Sequence, residues 1–341
     1  MNNVKVIKRF LITIVSIFAF WLLICFVAAR LNLLPIRVIE VRICQFIPIC
    51  PCSSDACLPD GITFSNQSEI DNFKTNYPCC KIIKGSVKIS GDDINNLFGL
   101  DELIKIQGHL DIRDNENLAS LSGLNSLKKV GLNIRVYNNS SLRSMDALNR
   151  LEVIGGDLDV RDNVVLVRLP NLERVTEIGR GLLIKGNHTL GNLEGLEQIT
   201  FVKGRVYIWL NQGLKNLKGL DQLHSMEGRG LRLEGNHQLT DLGALRNVTS
   251  INQGTGEGRL VILANDILSS LAGLENIQYQ TIDSLIIKDN VNLSYCELEN
   301  ICDYIQNGGA TLCENSGASE NCVDKPGLRL ACVDVTPPST N

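Results

Sequence analysis

Histidine is scarce in this chain, four in 341 residues, so a histidine-based metal site has little to draw on. Aromatic residues make up only 5%. A core built on rings is therefore excluded, and Leu, Ile and Val must fill it, which the 44% of hydrophobic residues allows. Such side chains suit thin, repeated layers. Basic charge is not in excess either: 33 Lys and Arg stand against 37 Asp and Glu, a net −4, which argues against a nucleic-acid partner. No G-x-x-x-x-G-K phosphate loop, glycine elbow or nucleophile–base pairing occurs, and nothing calls for a cofactor. Cysteine is absent between Cys80 and Cys296.

What is present begins at the N-terminus. Lys5, Lys8 and Arg9 precede an uncharged apolar run over residues 10–29. Its length matches the ~20 residues of a membrane-spanning helix and exceeds the ~7–15 of a usual signal peptide. The run reads as a signal anchor, with residues 1–9 cytoplasmic and the bulk of the chain extracytoplasmic. Cleavage after Ala29 and lipidation at Cys25 are the alternatives. A Cys-containing linker, 30–56, follows.

Eleven of the twelve cysteines lie beyond the run. Clusters at the two ends of a domain read as disulfide-stapled caps in an oxidising compartment. Zinc is the weaker reading, because Cys44, Cys50, Cys52 and Cys57 contain no C-x-x-C pair. The caps are read at 57–84 and 296–322, around a solenoid at 85–295 and before a tail at 323–341. In the first cap, residues 65–77 read as a short helix with Ile70 and Phe73 turned to the core. Asn66 and Glu69 have capping-box spacing there. Cys57 is expected to pair with Cys79 or Cys80. In the second, Leu298, Ile301 and Ile305 suggest a closing helix, and Cys296, Cys302, Cys313 and Cys322 supply two bridges of open connectivity.

Between the caps the chain repeats. Apolar-x-apolar units start at Val87, Leu110, Ile134, Leu158, Leu182, Val206, Leu231, Leu260 and Leu285, most of them 24 or 25 residues apart. A period in this range means a solenoid, here of about nine coils. Five residues after eight of these starts stands an Asn: Asn115, Asn139, Asn163, Asn187, Asn211, Asn236, Asn265 and Asn290. Period-two alternation in each unit predicts a short strand with one face inward, and stacking predicts a parallel sheet at ~4.8 Å spacing. Each layer would bury roughly six aliphatic side chains, at ~1.5–3 kcal/mol each before entropy is subtracted. The Asn file marks the turn after the strand, where a short amide can satisfy open backbone groups.

The strings Ile106-Gln-Gly108-His-Leu110-Asp-Ile112 and Ile178-Gly-Arg-Gly181-Leu182-Leu-Ile184 resemble the receptor L domain, the ligand-binding repeat module of insulin and epidermal growth factor receptors. The flanks, Cys57-Leu-Pro-Asp-Gly-Ile-Thr-Phe and Cys296-Glu-Leu-Glu-Asn-Ile-Cys302, are similar to standalone bacterial surface proteins carrying this domain. The Leu that follows each Asn comes three residues later, not two as in an ordinary leucine-rich repeat. This resemblance implies a β-rich, right-handed β-helix-like solenoid with capped ends. It implies neither a signalling module nor a particular ligand.

Function is sought on the outward strand face. Arg135, Tyr137, Arg161, Leu183, Lys185, Arg205, Tyr207, Trp209 and Arg232 fall there, a mixture enriched in interface hot spots. The expected function is membrane-anchored recognition of a protein or glycan. The alternatives are a self-associating envelope protein, hence a homo-oligomer, and a polysaccharide-active enzyme. The enzyme reading rests on Asp111 and Asp159, two coils or ~10 Å apart. Arg135 between them should keep both ionised, the wrong state for a general acid. His188 and His237, in equivalent turns, are too far apart to share a metal. The longest repeat carries a Gly-rich insertion over 252–258, read as tolerated rather than functional. Sequons fall at Asn66, Asn138, Asn139, Asn187, Asn247 and Asn292.

Overall fold

The computed structural model describes residues 55–254, 257–293, 298–307 and 311–314. The apolar run 10–29, most of the linker, Cys296, Cys322 and the tail lie outside them. Among the described residues no helix is long and apolar enough to cross a membrane.

The described chain is a parallel β-solenoid built on two sheets, one of eleven strands and one of eight. The long-strand sheet runs in register from Ile62–Phe64 through Val87–Ile89, Leu110–Arg113 and the rest of the repeat to Thr311–Glu314. Most repeats then turn, cross a third side of short turns, in places 3₁₀-helical, and enter a two-residue strand of the other sheet, which is lacking after Leu231–Glu234 and Arg259–Leu263. In the long sheet the apolar pairs are neighbours as the period requires: Leu158↔Leu182, Leu182↔Val206 and Val206↔Leu231. One rung buries Ile134, Val136, Leu142, Met145, Leu148, Leu151 and Ile154, all essentially without solvent contact. The rungs stack into one continuous aliphatic column.

The Asn file is a hydrogen-bonded ladder, fully buried. The Oδ1 of Asn163 accepts the backbone N–H of Asn139 at 3.1 Å. Its Nδ2 donates to the carbonyls of Val136 at 2.9 Å and Arg161 at 3.0 Å. The same pattern continues through Asn187, Asn211, Asn236 and Asn265. Each amide therefore closes backbone groups that the turn leaves open, in its own rung and in the one before. The residue ahead of each Asn enters the left-handed region, with φ between 53° and 58° at Asp114, Asn138, Asp162, Leu210, Ala264 and Asp289. Asp and Asn tolerate this region, whereas Leu210 and Ala264 do so at a cost. The sequons at Asn139 and Asn187 are ladder positions, so the folded protein has no room for a glycan on either.

Glycines set how closely the rungs approach. A Cβ at Gly155 would stand 2.1 Å from the carbonyl oxygen of Gly131 in the rung before. Gly123, at φ +116°, would bring its Cβ to 1.9 Å from the oxygen of Leu97.

The ends are closed as the apolar pattern suggested, with differences. The N-terminal helix is split into Gln67–Asp71 and Phe73–Asn76, with Ile70 and Phe73 buried. Asn66 caps it by accepting the Glu69 N–H at 3.0 Å, while Glu69 reaches back to the N–H of Ser65 at 2.6 Å, one residue earlier than the capping box specifies. Cys57 pairs with Cys80, and Cys79 is also in disulfide form. Residues 57–84 contribute a rung of their own, because Ile62 pairs with Val87 and Cys57 with Ile83. At the other end the helix Glu299–Gln306 buries Ile301, Cys302, Tyr304 and Ile305, and Cys302 is disulfide-bonded. Thr311–Glu314 adds a last strand, with Leu285 opposite Thr311 and Ile287 opposite Cys313. The nine repeats of the periodic pattern thus sit between one extra strand at each end.

Candidate functional site

The outward side chains of the long-strand sheet form aligned columns. One runs Asp111, Arg135, Asp159, Leu183, Tyr207, Arg232, Val261, Ile286. Its neighbour runs Arg113, Tyr137, Arg161, Lys185, Trp209, Glu234, Leu263, Lys288. All the candidate residues thus share one face, with Arg205 at its margin just ahead of the strand Val206–Trp209. Leu183 faces outward but is only 7% exposed. It forms part of the floor between Asp159 and Tyr207 and is not a contact residue.

Aromatic rings and guanidiniums are layered here. The guanidiniums of Arg113 and Arg161 each lie 5.6 Å from the centre of the Tyr137 ring, and Arg113 also donates a hydrogen bond to its hydroxyl. Arg205 lies 5.5 Å over Tyr207. Tyr207 meets Trp209 edge to face, with ring centres 6.4 Å apart. These contacts hold large, rigid side chains upright on a flat sheet.

The carboxylates are placed differently from the expected ladder through Arg135. Each pairs along its own strand: Asp159 with Arg161 at 2.6 Å, Asp111 with Arg113 at 3.8 Å, and Glu234 with Arg232. Two residues apart on a strand, both partners project to the same side and can reach each other without crossing a rung. Burial, the dominant effect, pushes the Asp159 carboxyl above the ordinary range, against the pull of Arg161.

A third polar column precedes the strands and was not read from the sequence. Ser86 Oγ accepts the N–H of His109 at 3.0 Å, His109 Nδ1 accepts the N–H of Asn133 at 3.2 Å, and Asn133 Oδ1 accepts the N–H of Asp157 at 3.0 Å. The clue was a polar residue directly before each of these strand starts. Burial pushes His109 below its ordinary pKa, and Arg135 acts in the same direction, against Asp111 and Asp157. A histidine depressed in the folded state contributes stability above its unfolded pKa and loses it as pH falls through the folded value. The midpoint of urea unfolding should therefore fall as pH drops below about 6.5, the ordinary value. His109→Gln should fall less. Parallel curves for the two proteins would exclude His109 as the source.

The remaining candidates stay apart. His237 Nδ1 lies 2.8 Å from Asp266 Oδ2 of the next rung, and the described residues contain no group of ligands that could hold a metal. The Gly-rich insertion is pinned at its base, where Asp283 Oδ2 accepts from Asn252 Nδ2 at 2.8 Å and from the Gly258 N–H at 2.6 Å.

A stack of parallel rungs that displays one flat face bearing aromatic and cationic side chains suits a binding domain. Residues 79–194 match the family model described as the receptor L domain, and this part of the chain is a receptor L domain. No curated protein and no solved structure matches the chain.

Proposed function

We propose that this protein is a non-enzymatic recognition module, held at a membrane by the apolar run 10–29, displayed outside the cytoplasm, and binding a protein or glycan partner through its long-strand face. One observation carries the reading. Tyr207 and Trp209 stand side by side on one strand with their rings edge to face and Arg205 just ahead of them, an arrangement that leaves partly exposed aromatic surface where a sheet needs only small polar residues. Aromatic and Arg side chains fixed in place lose little entropy on contact and dominate interface energetics.

The test is a glycan and protein array probed with the full chain, followed by Tyr207→Ala and Trp209→Ala on whatever binds. Truncating both rings should weaken the partner by at least ~2 kcal/mol, roughly 30-fold, with the unfolding midpoint unchanged. Undiminished binding in the double variant would remove the face as the site. Binding with turnover of the ligand would replace the module with an enzyme.

A further inference from the structure

The same face carries a charge pattern that narrows the ligand. Six consecutive rungs each place one cation outward: Arg113, Arg135, Arg161, Lys185, Arg205 and Arg232. The next two rungs add Arg259, at the start of its strand, and Lys288 to the same face, beside the apolar Leu263 and Ile286. Five spacings of ~4.8 Å make the row of six roughly 24 Å long.

Acids are present among these cations: Asp114 beside Arg113 and Asp162 beside Lys185 are more exposed than their partners, at 51% against 32% and 43% against 33%, while three others sit lower. The Asp159 side chain is 9% exposed against 37% for its partner Arg161, Asp111 19% against 32% for Arg113, and Glu234 25% against 40% for Arg232. In these three pairs the guanidinium is the more exposed partner. A guanidinium has five N–H donors, and one carboxylate cannot occupy them all. Among the described residues Arg135 and Arg205 have no acid in ion-pair contact, and the Arg205 Nε has no hydrogen-bond partner. The face thus presents a cation on each of six successive rungs although the chain as a whole carries −4.

We infer that the face binds a linear acidic polysaccharide, laid along the stacking axis with its carboxylates meeting successive cations. This rests on the face being the binding site, as proposed above. One cation per rung, at fixed axial pitch but alternating among three positions across the strands, suits a chain polymer with regularly repeated charges. A folded acidic protein would instead be anchored by side chains entering pockets, and this sheet is flat. Tyr207 and Trp209 between the cations offer ring surface to the C–H faces of sugars. Many weak contacts in a row give affinity through effective concentration, so a polymer should bind far better than its monomer.

The experiment titrates the full chain with polygalacturonate, with neutral dextran, galacturonate monomer and oligodeoxythymidylate in parallel. Polygalacturonate should bind and dextran should not, and added salt should weaken the complex steeply. Arg135→Gln combined with Arg205→Gln should lower affinity about tenfold or more through lost charge-assisted contacts, with the unfolding midpoint unchanged. Lys129→Gln, which removes the same charge from the short-strand sheet, should leave binding unaltered. No binding to polygalacturonate, equal binding to dextran, or equal loss in Lys129→Gln overturns the inference. Tighter binding of oligodeoxythymidylate overturns the sugar in favour of a nucleic acid. If a neutral or protein ligand binds and is lost in Tyr207→Ala with Trp209→Ala while polygalacturonate does not bind, the face stands as the site and only the acidic ligand falls.

Discussion

Asn163→Ala should cost about 3–5 kcal/mol of folding stability, because it strands three buried backbone groups at once and each costs ~1–3 kcal/mol unpaired. Those groups are the N–H of Asn139 and the carbonyls of Val136 and Arg161. No water can replace the amide, since the position is wholly buried. The loss also spans two rungs, so relaxation in one cannot relieve the other. Asn117→Ala is the comparison: its Nδ2 donates to the Asp92 carbonyl at 2.7 Å in an exposed turn, where solvent takes over, and it should cost below ~1 kcal/mol. Urea unfolding of both variants measures the difference. Equal midpoints would mean that the ladder is decoration and that the aliphatic column alone holds the stack.

Gly123→Ala should be comparably severe for the opposite reason, because it adds an atom where none fits. The new Cβ would overlap the Leu97 carbonyl, at 1.9 Å from its oxygen and 2.1 Å from its carbon, and this obstacle is backbone of the neighbouring rung. Side chains can rotate away, but a stacked carbonyl cannot. The backbone at φ +116° adds strain that any residue but glycine pays, and the two effects together come to roughly 2–6 kcal/mol. Gly191→Ala is the control, with nothing within 4 Å of its Cβ, and should lie within ~1 kcal/mol of wild type. A thermal melt of the two alanine variants side by side decides the matter. If they melt together, the rungs are looser than their spacing implies.

Much of this architecture was legible before any coordinates, because one constraint repeats. A register of 24 or 25 residues fixes which side chains stack, and period-two alternation fixes which of them face inward. Hence the Tyr137, Tyr207 and Trp209 columns, the buried Asn file and the bridge from Cys57 to one of two adjacent cysteines could all be read from spacing. The strands Ile62–Phe64 and Thr311–Glu314 could not, because neither is followed by the ladder Asn that marks eight of the other nine. The break at Asn72 was hidden because Ile70 and Phe73 fit a single helix equally well. The salt bridges were misassigned for a subtler reason. Register shows which residues are adjacent across rungs, but Asp159 prefers Arg161 on its own strand, a choice made by side-chain length and burial. Leu183 points outward as alternation requires, yet its taller neighbours cover it, which a pattern of directions cannot reveal.

The amide ladder has a consequence for size. Since every rung hands the next an identical acceptor, the stack can gain or lose whole rungs without any new joint being invented, whereas a partial rung would leave its carbonyls facing nothing. The length of the outward face is thereby restricted to steps of one strand spacing, ~4.8 Å. A molecule built this way is a ruler: the extent of partner it can grip is counted in rungs, and changing that extent means adding or removing about two dozen residues at a time.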